Sequence, residues 1–209
     1  MKFYTITAGP FEVNTYLVFD DKNNSKEGFL IDPGGQEKRI DKMIKDDNID
    51  LKFILNTHCH IDHVALDNYF KEKYGIKIIA SKEEEPILKN LKEQAEYLGF
   101  DYTGDVVIDE YLKENTSISL GEINILPIFT PGHSPGSMSF LVDEKYLFSG
   151  DTLFKNTIGR TDFLGGSSDK IINSIKSKLL ILDDDVSVLP GHGEATVIEN
   201  ERKYNAYLI

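Results

Sequence analysis

The chain has 209 residues, with 35 acidic and 23 basic side chains and a formal net charge of −12. This length fits one domain with a substantial core, so we expect residues 1–209 to form a single domain. The acidic balance argues against nucleic acid or an anionic membrane as a partner, because phosphate binding depends on clustered Lys and Arg. No apolar run approaches the roughly 20 residues that span a bilayer.

Short apolar stretches bounded by turn residues recur along the chain, and several alternate apolar with polar residues as half-buried strands do. The predicted strands are residues 3–8, 15–19, 28–31, 53–56, 77–80, 123–129, 138–142, 146–149 and 187–189. Apolar residues spaced three and four apart predict helices at 37–47, 83–97 and 167–182, and a shorter one at 62–74. Residues 23–26 are typical of a hairpin loop.

The order of these elements indicates a fold class. Strands outnumber helices and form meanders as well as βα pairs, which fits neither an all-parallel doubly wound sheet nor an all-β barrel. The sequence therefore predicts an α/β fold with two mixed sheets and helices outside them.

All five histidines fall in three short motifs, at residues 57–63, 131–133 and 190–193. Each motif follows a predicted strand, where loops can aim side chains at a common point. Imidazole nitrogens and carboxylate oxygens are ligands for zinc and iron. Together with two aspartates they give seven candidate ligands: His58, His60, Asp62, His63, His133, Asp151 and His192.

The spacing within the first motif suggests two metal positions. His58 and His60 are two residues apart in an extended stretch, and we assign them with His133 to a first ion. Asp62 and His63 begin a helix and point elsewhere, so we assign them with His192 to a second ion. Asp151 has two carboxylate oxygens and is predicted to bridge the two ions. Zinc is the expected metal, with iron or manganese as alternatives.

These motifs resemble the metallo-β-lactamase-fold hydrolase superfamily, in which His-x-His-x-Asp-His is followed by Pro-Gly-His, Gly-Asp and Gly-His-Gly. The segments at 130–137, 150–154 and 158–162 are similar to the short glyoxalase II-like (hydroxyacylglutathione hydrolase-like) branch, as are those at 9–16 and 32–35. The resemblance implies a four-layer αββα sandwich. It also implies hydrolysis by a hydroxide that bridges two divalent metal ions, with catalytic roles for Asp62 and Asp151.

A small thioester is the expected substrate. A thiolate with a pKa of about 8.5 can leave without a dedicated general acid, and the sequence offers no obvious candidate for one. The sequence ends at Ile209, soon after its last candidate ligand, so we expect the protein to lack the C-terminal helical region that supplies much of the glutathione surface in glyoxalase II enzymes. The thiol carrier therefore stays open.

Other functions remain open on the same motifs. A mononuclear iron persulfide dioxygenase would use His58, His133 and Asp151, because two histidines and one carboxylate suit oxygen-activating iron. Lactone, phosphodiester or β-lactam hydrolysis would use the whole site. A binding module with structural metals is disfavoured, because closed structural sites ordinarily rely on cysteine.

Several other residues have plainer interpretations. Cys59, the one cysteine, is predicted to pack in the core, and the lack of a signal peptide then favours a cytoplasmic protein, monomeric or a small homo-oligomer. Arg160 and Asp162 are expected to form a structural ion pair. Asp32 serves a turn or orients a ligand histidine. The charged run at 82–85 is interpreted as solvated.

Overall fold

The computed structural model describes residues 1–22 and 26–209, and its first sheet holds six strands in sequence order. The first three strands are antiparallel, and the remaining pairs are parallel. The strands are β1 (Lys2–Ala8), β2 (Val13–Phe19), β3 (Lys26–Ile31), β4 (Ile49–Leu55), β5 (Lys77–Ala80) and β6 (Glu110–Tyr111). Three of the four residues of the predicted hairpin loop, 23–25, lie outside the described residues.

A second six-stranded sheet is built from the later part of the chain. Its strands are β7 (Ile118–Leu120), β8 (Ile123–Phe129), β9 (Met138–Val142), β10 (Tyr146–Gly150), β13 (Ser187–Pro190) and β14 (Thr196–Val197). The sheet order is β14-β13-β10-β9-β8-β7, with β10 and β13 parallel. The short strands β11 (Leu153–Phe154) and β12 (Thr157–Ile158) form a separate hairpin.

Helices cover the outer face of each sheet. They are α1 (Glu37–Asp47), α2 (Ile61–Val64), α3 (Asp67–Tyr74), α4 (Glu85–Leu88), α5 (Leu91–Leu98), α6 (Ser168–Ser174) and α7 (Ile198–Tyr204). Ile40, Phe70 and Leu91 pack against one sheet, and Ile171 and Ile198 against the other. No helix among the described residues is long and apolar enough to cross a bilayer.

The central core lies between the two sheets. Val18 and Phe29 of the first sheet belong to one buried cluster with Ile125, Phe140 and Phe148 of the second. Leu17, next to Val18, belongs instead to the cluster beneath the helices, as the alternation of side chains along a strand requires. The layers are therefore helix, sheet, sheet, helix, which confirms the predicted αββα architecture.

The helix boundaries depart from the prediction in three places. The helix expected at 62–74 is two helices, because Leu66 donates its backbone N–H to the carbonyl of Pro33 rather than within the helix. The helix expected at 83–97 is a 3-10 turn (Lys82–Glu84) followed by α4 and α5. The helix expected at 167–182 ends its α-helical part at Ser174 and continues as one π-helical segment (Ile175–Leu179). Helix α7 was not predicted.

Asp67, at the start of α3, is a fully buried acid. Its Oδ1 accepts a hydrogen bond of 3.3 Å from Asn56 Nδ2. Asp67 Oδ2 and Asn56 Oδ1 have no hydrogen-bond partner among the described residues. Burial raises the pKa of Asp67 well above its ordinary value. The folded protein therefore binds the carboxyl proton of Asp67 more tightly than the unfolded chain does.

This raised pKa predicts that Asp67 lowers stability as pH rises above about 4, where the unfolded chain releases the proton and the folded protein does not. We expect Asp67→Asn to be more stable than the parent protein by about 1–3 kcal/mol at pH 8, because an amide can pair with Asn56 without a charge. The difference should vanish near pH 3.5. Urea unfolding at both pH values checks this, with exposed Asp185→Asn as the control. A destabilised Asp67→Asn at pH 8 would contradict it.

Candidate active site

Five of the seven predicted ligands lie in loops that follow four strands, and Asp62 and His63 lie on α2. His58 and His60 follow β4, His133 follows β8, Asp151 follows β10 and His192 follows β13. The strands fix the backbone, and the loops bring together side chains that are up to 134 positions apart in sequence. Three groups of side chains that could hold a metal ion result, each with donor atoms within 4.8 Å of one another. Two of them contain only predicted ligands, and the third consists of Asp32, His58 and His63.

The first cluster consists of His58, His60 and His133. His133 Nε2 lies 2.9 Å from His60 Nδ1. His58 Nε2 is buried and has no hydrogen-bond partner among the described residues. The three rings meet edge to face, with centroids 4.7 to 4.8 Å apart. These are the three histidines assigned to the first ion.

The second cluster consists of Asp62, His63 and His192. His63 Nε2 lies 3.2 Å from His192 Nε2, and Asp62 Oδ2 lies 3.3 Å from the same His192 atom. Two ligands bound at about 2.0–2.1 Å to a tetrahedral zinc ion are about 3.3–3.4 Å apart, so this spacing suits one ion. These are the three residues assigned to the second ion.

Asp151 lies between the two clusters. Its Oδ1 is 3.6 Å from His63 Nε2, and its Oδ2 is 3.6 Å from His133 Nε2. Oδ1 is buried without a hydrogen-bond partner among the described residues. A Cβ at Gly191 would lie 2.2 Å from this oxygen, so only glycine permits the close approach of the β13 loop. The carboxylate thus lies within 3.6 Å of a histidine nitrogen of each cluster.

Hydrogen bonds on the outer side of the rings fix their tautomers. His133 Nδ1 faces the carbonyl of Arg160 at 2.8 Å, and His192 Nδ1 faces the carbonyl of Phe11 at 2.7 Å. A carbonyl only accepts, so each Nδ1 carries the proton and each Nε2 keeps its lone pair toward the cluster. Metal-binding histidines are usually oriented in this way.

Asp32 orients two more of the rings. Its Oδ2 lies 2.9 Å from His63 Nδ1 and accepts a hydrogen bond of 2.6 Å from Thr57 Oγ1. Thr57 Oγ1 lies 3.1 Å from His58 Nδ1, and its own proton is engaged by Asp32, so His58 is the donor. Asp32 therefore orients two of the candidate ligand histidines, and its own backbone has a φ of 49°.

The first cluster holds neutral rings before any cation binds. Burial, together with neighbouring imidazoles, lowers the pKa of His58 well below its ordinary value. The same causes lower the pKa of His60 to about 3. Burial also lowers the pKa of His133, although Asp151 opposes it. Neutral imidazole is the form that binds metal, so this cluster is prepared for a cation.

The second cluster is electrostatically different. Burial alone would lower the pKa of His63, but the carboxylates of Asp62, Asp151 and Asp32 raise it to about 10. Burial disfavours the charged form of His192, but Asp62 and Asp151 favour it, and the net effect is a raised pKa of His192. The acids thus attract positive charge to this position, and a cation binding there displaces protons.

The buried ligand atoms without partners, the fixed tautomers and the ligand-like spacing all fit the binding of metal cations by this donor set. A cavity of about 610 Å³ opens beside them and is lined by five of the candidate ligands: His60, Asp62, His133, Asp151 and His192. This volume is typical of a small-molecule site. Residues of both clusters therefore line a cavity that is large enough for a small-molecule substrate.

Two of the plainer interpretations hold. Arg160 donates from Nε and Nη2 to the two Asp162 oxygens, both at 2.7 Å, so the predicted ion pair is present. Arg160 also lies in the cavity wall, with its guanidinium 4.0 Å from the Phe163 ring centroid. Cys59 is buried in the core, and burial raises the pKa of its thiol.

Glu84 is fully buried, so the prediction that the charged run at 82–85 is solvated is wrong for this residue. Its Oε2 accepts from the backbone N–H of Cys59 at 2.7 Å. Its Oε1 accepts from Ser134 Oγ at 2.6 Å and from the backbone N–H of Gly136 at 2.7 Å. One carboxylate therefore joins the loop of His58 and His60 to the loop of His133. The 3-10 turn after β5 directs it inward, which a run of charged residues does not indicate.

Comparison with known proteins identifies the family. The family model described as the Metallo-beta-lactamase superfamily matches residues 8–192. The chain belongs to the metallo-beta-lactamase superfamily. It is 36% identical to the hydroxyacylglutathione hydrolase GloC of Haemophilus influenzae, over 100% of this chain and 98% of GloC. This confirms the predicted superfamily and its hydrolase character.

Solved structures in this superfamily have the same architecture. The BLEG-1 B3 metallo-beta-lactamase superposes with a TM-score of 0.90 at 32% identity, covering 99% of each chain. TTHA1623, in a di-iron-bound form, superposes with a TM-score of 0.86 at 28% identity, covering 98% of this chain and 100% of TTHA1623. The αββα sandwich is therefore shared along nearly the whole chain.

Proposed function

We propose that this protein is a hydrolase of small thioesters that depends on two divalent cations. The first is held by His58, His60 and His133, the second by Asp62, His63 and His192, with Asp151 shared between them. The observation that carries the proposal is the pair of three-residue clusters joined by Asp151 beside a cavity. The similarity to GloC, named a hydroxyacylglutathione hydrolase, supports a thioester as substrate.

The reaction adds water across the thioester. When bound, two divalent cations lower the pKa of water toward neutrality and polarise a carbonyl group. The water oxygen bonds to the carbonyl carbon and the C–S bond breaks, which gives a carboxylate, a thiol and one proton. Thiolates leave readily, so the leaving group needs no side-chain acid.

The chain's own residues supply positioning and charge. The carbonyls of Arg160 and Phe11 and the carboxylate of Asp32 hold four rings in one tautomer, three of them directly and His58 through Thr57. Rings fixed in advance need no reorganisation when the reaction begins. Asp62 and Asp151 place negative charge beside the cavity, where it balances bound cations.

The alternative of a single-iron persulfide dioxygenase uses only His58, His133 and Asp151. The second cluster favours the hydrolase, because in a single-iron enzyme Asp62, His63 and His192 would have no cation to bind. The di-iron form of TTHA1623 shows that a relative holds two ions and keeps iron open as the metal.

Metal analysis beside activity assays tests the proposal. We expect about two divalent cations per chain in the active protein, hydrolysis of S-acyl thioesters, and loss of activity with a chelator that is restored by zinc, manganese or iron. A lactone and a β-lactam should be slower substrates. One iron per chain with oxygen uptake on a persulfide, and no thioester turnover, would contradict the proposal.

A further inference from the structure

The outer wall of the cavity is mainly apolar. Beyond the ligand residues it is formed by the helices α4 and α5, by the strand β11 and by the loops that carry Phe11 and Phe163. Its apolar side chains include Phe11, Tyr97, Leu98, Phe154, Phe163 and Leu164. Tyr97 and Leu164 are largely exposed, at 86% and 61%. Exposed apolar residues at the mouth of a cavity suggest that they contact an apolar part of a ligand.

Charge on this wall is sparse and one-sided. Arg160 is the one Lys or Arg among the described residues that line the cavity. Its Nε and Nη2 are both engaged by Asp162. Glu93, on α5, contributes a carboxylate to the wall, and this carboxylate is exposed. The outer wall therefore offers an acid and an already paired cation.

We infer that the site favours thioesters whose thiol carrier bears no carboxylate over thioesters of glutathione. The inference rests on the proposed thioester hydrolysis. In this wall a carrier carboxylate would meet the carboxylate of Glu93, and the one Arg there, Arg160, is already paired with Asp162. Two negative charges that are brought together without a cation between them weaken binding. The net charge of −12 also opposes the approach of anions.

A neutral or cationic carrier meets none of these penalties. An uncharged chain can lie against the apolar side chains at the cavity mouth, where it removes apolar surface from water. A quaternary ammonium group is attracted by a carboxylate and by aromatic rings. Glu93 and Tyr97 supply both in the same wall. Among thioesters of anionic, neutral and cationic carriers, those of cationic carriers should therefore be the best substrates.

One acyl group on three carriers tests the inference. We would measure kcat/KM of the cation-loaded protein for the butyryl thioesters of glutathione, N-acetylcysteamine and thiocholine. We expect the thiocholine and N-acetylcysteamine esters to exceed the glutathione ester by about tenfold or more. The advantage of thiocholine should shrink at high ionic strength, because exposed charges are screened.

Two variants show whether the named charges cause the preference. Glu93→Gln should lower the thiocholine-to-glutathione ratio of kcat/KM severalfold. Asp162→Asn should raise kcat/KM for the glutathione ester, because it frees the Arg160 guanidinium for a carrier carboxylate. Glu96→Gln, an exposed acid on α5 outside the cavity wall, is the control and should leave the ratio unchanged.

The outcomes separate this inference from the proposed function. Thioester hydrolysis with the glutathione ester preferred, or with a ratio that neither Glu93→Gln nor Asp162→Asn alters, would overturn the inference alone. Failure of the cation-loaded protein to hydrolyse all three esters would overturn the proposed function, and the inference with it.

Discussion

Replacing Asp151 with asparagine is expected to abolish most thioester hydrolysis while the protein remains folded. Asparagine keeps the size of the side chain but loses its charge, and its amide nitrogen cannot bind a cation. Because the two carboxylate oxygens lie 3.6 Å from nitrogens of different clusters, the substitution would leave one proposed cation position without this ligand and remove the negative charge beside both. We expect kcat/KM to fall about 1,000-fold or more, equivalent to about 4 kcal/mol of transition-state stabilisation.

Steady-state kinetics with metal analysis measure this effect. Circular dichroism and thermal unfolding establish that the variant is folded. Asp169→Asn is the matched control, because Asp169 is an exposed acid on α6 that does not line the cavity. Turnover of Asp151→Asn within a few-fold of the parent protein, on every ester and thioester tried, would show that the clusters do not carry the reaction.

Asp62 distinguishes the two-cation hydrolase from a single-iron enzyme. Its Oδ2 lies 3.3 Å from His192 Nε2 and 3.6 Å from His63 Nε2, and both of these histidines belong to the second cluster. Asp62→Asn should therefore reduce the bound cations from about two to about one and greatly lower hydrolysis. A single-iron dioxygenase built on His58, His133 and Asp151 should keep its iron in this variant.

The sequence predicts the centre of this site well because its signals are local. His58, His60, Asp62 and His63 stand within six residues, and the other ligands follow strands whose ends the hydrophobic pattern marks. In the structure His58, His60 and His133 lie together, as do Asp62, His63 and His192. The two-sheet architecture follows from the same pattern of strands.

The support around the centre could not be predicted, since it depends on tertiary contacts that carry no residue signature. Phe11 and Arg160 orient ligands through backbone carbonyls, which every residue type possesses. The break between α2 and α3 comes from a hydrogen bond to Pro33, which lies 33 residues earlier in sequence than Leu66. Helix propensity reports local preference, and tertiary contacts override it.

Glu84 gives the sharpest example of such hidden support, and we expect its removal to weaken both the fold and the site. In Glu84→Ala the backbone N–H groups of Cys59 and Gly136 lose their acceptor inside the protein. Each unsatisfied buried donor costs about 1–3 kcal/mol, so the free energy of unfolding should fall by about 3–5 kcal/mol. Because the two loops carry His58, His60 and His133, affinity for the first cation should also fall by about 10–100-fold.

Glu84→Gln separates stability from positioning. Its amide oxygen replaces one acceptor, and the Ser134 hydroxyl can turn to accept from the new NH2 group, so a smaller loss is expected in both measurements. Urea unfolding of the metal-free protein gives the stability, and competition with a chelator gives the cation affinity. Glu83→Ala, at the exposed neighbouring position, should change each only slightly. If Glu84→Ala matched the parent protein in both, the carboxylate would not be what holds the two ligand loops together.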